Sequence, residues 1–278
     1  MSNAIYSEIP MRTWRWLGVN EARVPENISG ELQERVISVS KGCRDSVVVV
    51  YRKEQQGHIQ VQVAEGAELH LIKVQLLDGS QPHTDRIEAT VAAEGKIKVT
   101  AIEAGAAASA TELVVDLQGD AAEADVAAIY FGDGQRQMDM NYIIRQQGRH
   151  TNANMQIRGA LLDESQKTFR GTLDFQRGAK GSEGRENEEV VLLSPKVRNR
   201  SVPLMLSHED DVDGHHAVSI GKMDEAKLFY LMSRGLDMAE AQRLVVDASF
   251  QPVLDRIPDA DLKQEVEEYI KGRLTHEQ

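Results

Sequence analysis

The chain has 278 residues, with 44 acidic against 32 basic side chains and a formal net charge of −12. That length supports one large domain or two small ones, and the acidic balance opposes the phosphate neutralisation on which nucleic-acid binding rests. No apolar run approaches the ~20 residues of a membrane span, and one cysteine, Cys43, excludes an intramolecular disulfide and a four-cysteine metal site within one chain.

Along the N-terminal stretch, MSNAIYSEIPMRTWRW has no apolar core of a signal peptide, so a cytoplasmic protein is expected. Ser2-Asn3-Ala4 reads as the scar of an expression tag and is set aside. Thr13-Trp14-Arg15-Trp16-Leu17 reads as a packing patch, and Pro25 to Val36 as a turn and short helix carrying Leu32, Val36 and Ile37. From Asp45 the pattern changes to period two. Val47, Val49 and Tyr51 alternate with Val48, Val50 and Arg52, apolar enough for burial on both faces.

Alternation then recurs in short bursts. Val63-AEGAE-Leu69-His70-Leu71 returns 28 residues later as Val91-AAEGK-Ile97-Lys98-Val99, so Val63, Leu69 and Leu71 fall on Val91, Ile97 and Val99. Further bursts lie at Leu113–Leu117, Val126–Phe131, Met138–Ile144, Met155–Leu162 and Thr168–Phe175, with separators containing Gly119, Gly132, Gly134, Gly148, Gly159 and Gly171. An antiparallel sandwich would use two-residue hairpin turns, yet only Asp78-Gly79 and Asp133-Gly134 qualify. A 28-residue period suits one coil of a solenoid, in which each coil buries its apolar face on its neighbours. A parallel β-helix is therefore favoured, although AGAAASA at 104–110 interrupts the repeat.

Past Gly221 the period becomes helical. Asp224 can cap a helix carrying Leu228, Phe229, Leu231 and Met232, which Arg234-Gly235 closes with Gly in the left-handed position. Of the adjacent pair Phe229-Tyr230, at most one can face a core squarely. Asp237 and Glu240 form a capping pair for the next helix, where Ala241, Leu244, Val245 and Ala248 share one face. Pro258 breaks the chain. A last, highly charged surface helix near 260–271 carries Leu262, Val266, Tyr269 and Ile270 on one side. Three parts result: an N-terminal segment over 1–44, a β-core over 45–221 and a C-terminal helical domain over 222–278.

No P-loop, dinucleotide-binding glycine motif, nucleophile elbow or zinc-protease helix is present, so any ATP chemistry must come from a partner. The densest polar run holds His208, Glu209, Asp210, Asp211, Asp213, His215 and His216. Imidazole and carboxylate together suit iron or zinc, but Asp and His are equally common in a solvated turn between elements. His215 and His216 cannot both face one site on an extended strand.

The stretch PLMLSHEDDVDGHHAVSIGKMDEAKLFYLMSRGLDMAEAQRLVV resembles the C-terminal signature of SufB and SufD, scaffold proteins of the SUF iron–sulfur cluster assembly system. The likeness rests on Asp210-Asp211-Val212, His216, Gly221, Leu228-Phe229-Tyr230, Arg234-Gly235 and Glu240-Ala241, supported by Phe169–Gly171 and the leucine run at Leu192-Leu193-Ser194. It covers roughly residues 45–250. The resemblance implies a right-handed parallel β-helix followed by a small helical domain. It implies pairing through the β-helix, with a SufB/SufD-like subunit or with itself, and docking of a SufC-like ATPase by the C-terminal helices. His216 would occupy the family's histidine at the pairing interface, where a transient iron–sulfur cluster is assembled. Leu228, Phe229, Tyr230 and Arg234 would lie at the ATPase.

Where SufB has a cysteine before the leucine run, counting back from Leu192 reaches Glu188; after His216 stands Ala217 rather than the Glu of SufB. Thiolates are the usual cluster ligands. The resemblance is therefore to SufD: a non-enzymatic partner contributing His216, with Glu188 a second candidate ligand. Two other readings stand beside it. One is a β-helix polysaccharide lyase or hydrolase using Glu209, Asp210, Asp211 and Asp213, weakened by an aromatic content of only 5%. The other is a metal-free structural tether.

Overall fold

The computed structural model describes residues 9, 12–13, 15–25, 28–223 and 225–274. Fourteen strands and three helices follow a short 3-10 turn at Arg15–Leu17. The strands are β1 (Leu32–Val39), β2 (Arg44–Tyr51), β3 (Gln56–Val63), β4 (Glu68–Gln75), β5 (Pro82–Val91), β6 (Lys96–Glu103) and β7 (Ala108–Leu117). They continue as β8 (Glu123–Gly132), β9 (Gln137–Gln146), β10 (Asn152–Leu161), β11 (Gln166–Phe175), β12 (Ser182–Leu192), β13 (Arg198–Ser207) and β14 (Val212–Lys222). The helices are α1 (Glu225–Ser233), α2 (Met238–Leu254) and α3 (Ala260–Leu274).

Odd-numbered strands form one seven-stranded sheet and even-numbered strands the other, each in sequence order, and every pairing is parallel. The chain is a parallel β-solenoid with C-terminal helices, as the period-two bursts and their spacing predict. The repeat appears directly in the register: Val63 pairs with Val91, Leu69 with Ile97 and Leu71 with Val99. It blurs beyond residue 105 because coil length changes. Gln56 faces Thr84, a step of 28, Pro82 faces Ala108, a step of 26, and Gln166 faces Arg198, a step of 32. Ladder pairing needs strands in register but leaves the corner loops free in length.

Two cores result. Inward side chains such as Ile59, Val61, Leu71, Ile97, Val126, Met155 and Leu173 fill the solenoid. On the outer face of the even-numbered sheet, Ile72, Val74, Ile129 and Phe131 meet Val246, Phe250 and Val253 of α2 and Val266 and Ile270 of α3. That second core explains the continuous apolar run at Val126–Phe131, which is buried on both faces, and the burial of Ile72 and Val74 on the outer face of β4. Polar links fasten the helices to the sheet: Arg52 reaches Glu265 at 2.6 Å, Tyr269 donates to the Leu77 carbonyl at 2.9 Å, and Arg273 pairs with Asp133.

Several expectations are corrected. The short helix expected before Val36 is strand β1, and the solenoid starts at Leu32; the strand carries β-branched Val36, Ile37 and Val39 and pairs with β3 over its whole length. The valines at 47–50 are not buried on both faces: β2 is an edge strand and Val48 remains 38% exposed. Gly159 and Gly171 are not separators but lie inside β10 and β11. A Cβ on Gly159 would sit 2.0 Å from the Tyr130 ring, so glycine there makes room for a side chain from the preceding coil. Trp16, read as part of a packing patch, is exposed. Trp14, Asp224 and the tag-like residues 2–4 lie outside the described residues.

Candidate functional site

A solenoid coil buries its inner face on the next coil. Strands β13 and β14 end their sheets, so the inward face of the last coil has nothing over it among the described residues. Ile220, on the same face of β14 as His216, is 46% exposed for that reason. Gly214 fixes the direction of that face, because a Cβ there would meet Met205 and Phe175 of the core. His216, two residues on, shares this inward-facing row and is exposed.

The register places Glu186, not Glu188, beside His216; Glu188 is in register with Val218. Both glutamates are buried on β12. Glu188 is committed to other partners: it forms an ion pair with Lys167 and accepts the Tyr130 hydroxyl at 2.8 Å. Lys167 also donates to Ser201 Oγ at 2.9 Å and lies 5.0 Å from the Tyr130 ring centroid. Burial pulls the Lys167 ammonium down to about 8, against the pull of Glu188. Glu186 has neither carboxylate oxygen hydrogen-bonded, and a Cβ on Gly171 would lie 2.1 Å from its Oε1. Burial, then the charge of Glu188, pushes Glu186 up to about 8. A buried carboxylate with no partner beneath an uncovered end was not legible in the sequence, because only the register shows what Glu186 faces.

The acidic run resolves into a solvated turn. Glu209 accepts the Gly178 N–H at 3.1 Å and the Asp211 carbonyl accepts the Gly181 N–H at 2.7 Å. His215 pairs with exposed Asp213 at 2.9 Å, on the opposite face of β14 from His216, as alternation requires. Among the described residues no three His, Cys, Asp or Glu side chains are grouped to hold a metal ion. Cys43 is exposed in the turn between β1 and β2, at the other end of the solenoid from His216. Six strand spacings separate β2 from β14, about 29 Å.

Beside the open end lies the helix pair. Gly235 closes α1 with φ +98, and Asp237 with Glu240 forms a reciprocal capping box at α2. Phe229 is 75% and Tyr230 56% exposed, so neither of the two faces a core. Leu228 is half-buried, and the Arg234 guanidinium stacks 5.4 Å from the Tyr230 ring centroid. The stripe read as the packed face of α2 is corrected in part: Ala241 is buried, but Leu244 and Ala248 are exposed. The face that packs carries Val246, Phe250 and Val253, while Leu244, Val245 and Ala248 line an apolar groove with Ala226, Tyr230 and Leu231 of α1. Both stripes have helical spacing, and only docking on the sheet separates them.

Fold and site together define a non-membrane-helical β-solenoid with an uncovered last coil and an adjoining apolar helix pair; no helix among the described residues is long and apolar enough to cross a membrane. The family model described as "SUF system FeS cluster assembly, SufBD core domain" matches residues 25–249. This chain belongs to the SufBD family. Among curated proteins it is 29% identical over 164 residues to the iron–sulfur cluster assembly protein SufD of Bacillus subtilis, covering 59% of this chain and 38% of that protein. It is 26% identical over 259 residues to an iron–sulfur cluster assembly SufBD family protein of Synechocystis, covering 90% of this chain and 55% of that one. A family member from Pyrococcus horikoshii is 37% identical over 111 residues, 40% of this chain and 24% of the relative. The chain thus spans only about half, or less, of the length of these relatives.

Proposed function

We propose that this chain is a scaffold or accessory subunit in iron–sulfur cluster assembly, pairing through its solenoid and docking a SufC-like ATPase with α1 and α2. The observation that carries the reading is the last coil: exposed His216 in register with a buried, unpartnered Glu186. The cluster is cargo, and this end supplies one imidazole and one carboxylate toward it. Thiolates are the favoured cluster ligands, and Cys43 stands at the opposite end, so the remaining ligands come from the subunit that covers the last coil. A SufB/SufD-like chain or a second copy can do so by laying its own strands over β13 and β14. Glu188, neutralised by Lys167, orients that lysine and Tyr130 beneath the site rather than meeting the metal. Leu228, Phe229, Tyr230 and Arg234 supply the aromatic and cationic anchors of the ATPase contact, since exposed aromatics beside an apolar groove suit a helix-mediated interface. The ATP chemistry, for which the sequence holds no motif, is the partner's.

Anaerobic reconstitution tests the cluster claim. The expected result is a chromophore that is weak in the isolated chain, stronger with a SufB/SufD-like partner, and lost in His216→Ala. A strong chromophore independent of His216 contradicts it. A pull-down against the cognate ATPase, with and without nucleotide, tests docking; capture by the wild type and loss in Phe229→Ala is expected, and no capture under either condition refutes it. The absence of a three-ligand group among the described residues favours one competing reading, a tether that holds partners without metal. Elemental analysis of protein purified without air separates the two, because a tether carries no iron.

A further inference from the structure

On the outer face of the odd-numbered sheet, away from the last coil's interior, we infer a binding site for a phosphate-bearing small molecule, formed by Arg23, Arg198 and Arg200. Most arginines of this acidic chain face a carboxylate: Arg149 meets Asp120 at 2.6 Å, Arg136 meets Asp133 at 2.6 Å and Arg145 meets Asp116 at 3.2 Å. The side chains of Arg23, Arg198 and Arg200 have no hydrogen-bond or ion-pair partner among the described residues, yet all three line one small cavity. All three are solvent-exposed and the Arg198 charge also acts on Glu164, but an anion seated in this cavity would gain attraction from three guanidinium groups at once.

The arrangement is built by the fold. Gln137, Gln166 and Arg198 stand in one register row across β9, β11 and β13, and Asp139, Thr168 and Arg200 in the next outward row. Arg198 and Arg200 therefore project from the same face of the edge strand. Arg23 arrives from the N-terminal segment, which is pinned to this sheet. Fully buried Arg170 pairs with Asp139 and donates to the carbonyls of Val19 and Glu21, the latter at 2.9 Å, while the Arg23 N–H donates to Asp139 Oδ2 at 3.1 Å. Asp139, the one carboxylate in the cavity wall, is thus already compensated. The hydroxyl of nearly buried Thr168 and the amides of Gln137 and Gln166 add neutral donors. Guanidinium forks from two directions over a hydroxyl match the several oxygens of a phosphate group.

Calorimetric titration of the full chain with pyrophosphate and with inorganic phosphate, at constant ionic strength, tests the site. Saturable one-to-one binding is expected, weakened about tenfold or more in each of Arg23→Gln and Arg200→Gln, the scale of one lost charge-assisted hydrogen bond pair. Tighter binding of pyrophosphate assigns a diphosphate ligand, and equal binding a monophosphate. Arg177→Gln, an exposed arginine in the β11–β12 turn outside the cavity, should bind as the wild type does. Unchanged melting temperatures without ligand show that the variants fold. Absence of saturable binding, or equal weakening in all three variants, overturns the proposal. So does loss of pairing with a second subunit in Arg200→Gln without any anion binding by the wild type, since the arginines would then belong to a protein contact.

Discussion

Two clusters inside the solenoid each set a buried lysine against two carboxylates, and they differ in what covers them. Near the first coils, Lys73 reaches Asp85 at 2.8 Å and Glu103 at 2.6 Å, with His83 3.2 Å from Asp85 and all four side chains buried. Coils lie on both sides of this cluster. Near the last coil, Glu188 is the one carboxylate paired with Lys167, and Glu186 is left without a hydrogen bond. In the enclosed cluster burial works against ionisation and pushes Glu103 up, but Lys73 and then His83 hold Asp85 down at about 2. At the last coil burial prevails, and Lys167 falls to about 8 while Glu186 rises to about 8. The same residue types therefore make an ion-pair cluster where coils lie on both sides, and leave one carboxylate with neither oxygen hydrogen-bonded where the solenoid stops.

That contrast can be broken at several points. The largest effect is expected for Lys73→Met, which strands Asp85 and Glu103 as buried uncompensated carboxylates and should cost ~3–5 kcal/mol in urea unfolding. A cost below ~1 kcal/mol would show that the ion-pair cluster adds little to stability. Gly159→Ala comes next, since its Cβ would collide with the Tyr130 ring that carries the hydroxyl bonded to Glu188. Overpacking of this kind costs ~1–3 kcal/mol, read as a lower urea midpoint at unchanged slope.

Acid provides the third comparison. The pKa of Asp85 is depressed in the folded state, so its contribution is present above the unfolded value of about 4 and is lost as pH falls towards about 2. Roughly 2 kcal/mol of stability should disappear over that window. In Asp85→Asn the dependence on pH between about 4 and 2 should flatten; an unchanged slope would detach Asp85 from acid unfolding. The smallest effect is expected for His216→Ala. An exposed side chain on the terminal strand should change stability by no more than about 0.5 kcal/mol while removing the metal-dependent chromophore.

Much of this was legible along the chain. Period-two bursts with a 28-residue return predict stacked parallel coils, because a coil that cannot bury its own inner face must repeat in register with the next. The capping residues Asp237 and Glu240 and the left-handed Gly235 mark helix ends by local hydrogen bonding, and the structure agrees. The nature of His215 and His216 as residues of opposite faces follows from strand geometry alone. Apart from the 28-residue return, these are properties of neighbours within a few residues.

What the sequence could not assign depended on partners far along the chain. The run before Val39 has spacings compatible with a helix, and pairing with β3 made it a strand. Two apolar stripes on α2 are equivalent in spacing, and the outer face of the even-numbered sheet chose Val246 and Phe250 over Leu244 and Ala248. Counting back from the leucine run reached Glu188, whereas the register sets Glu186 beside His216 and gives Glu188 to Lys167. The open end follows the same logic: alternation specifies which side chains point inward, and only the place of β13 and β14 at the end of their sheets leaves His216 uncovered. Local period is written in each residue's own backbone preferences, but burial and charge compensation are set by the coil above, the coil below and whatever covers the last one.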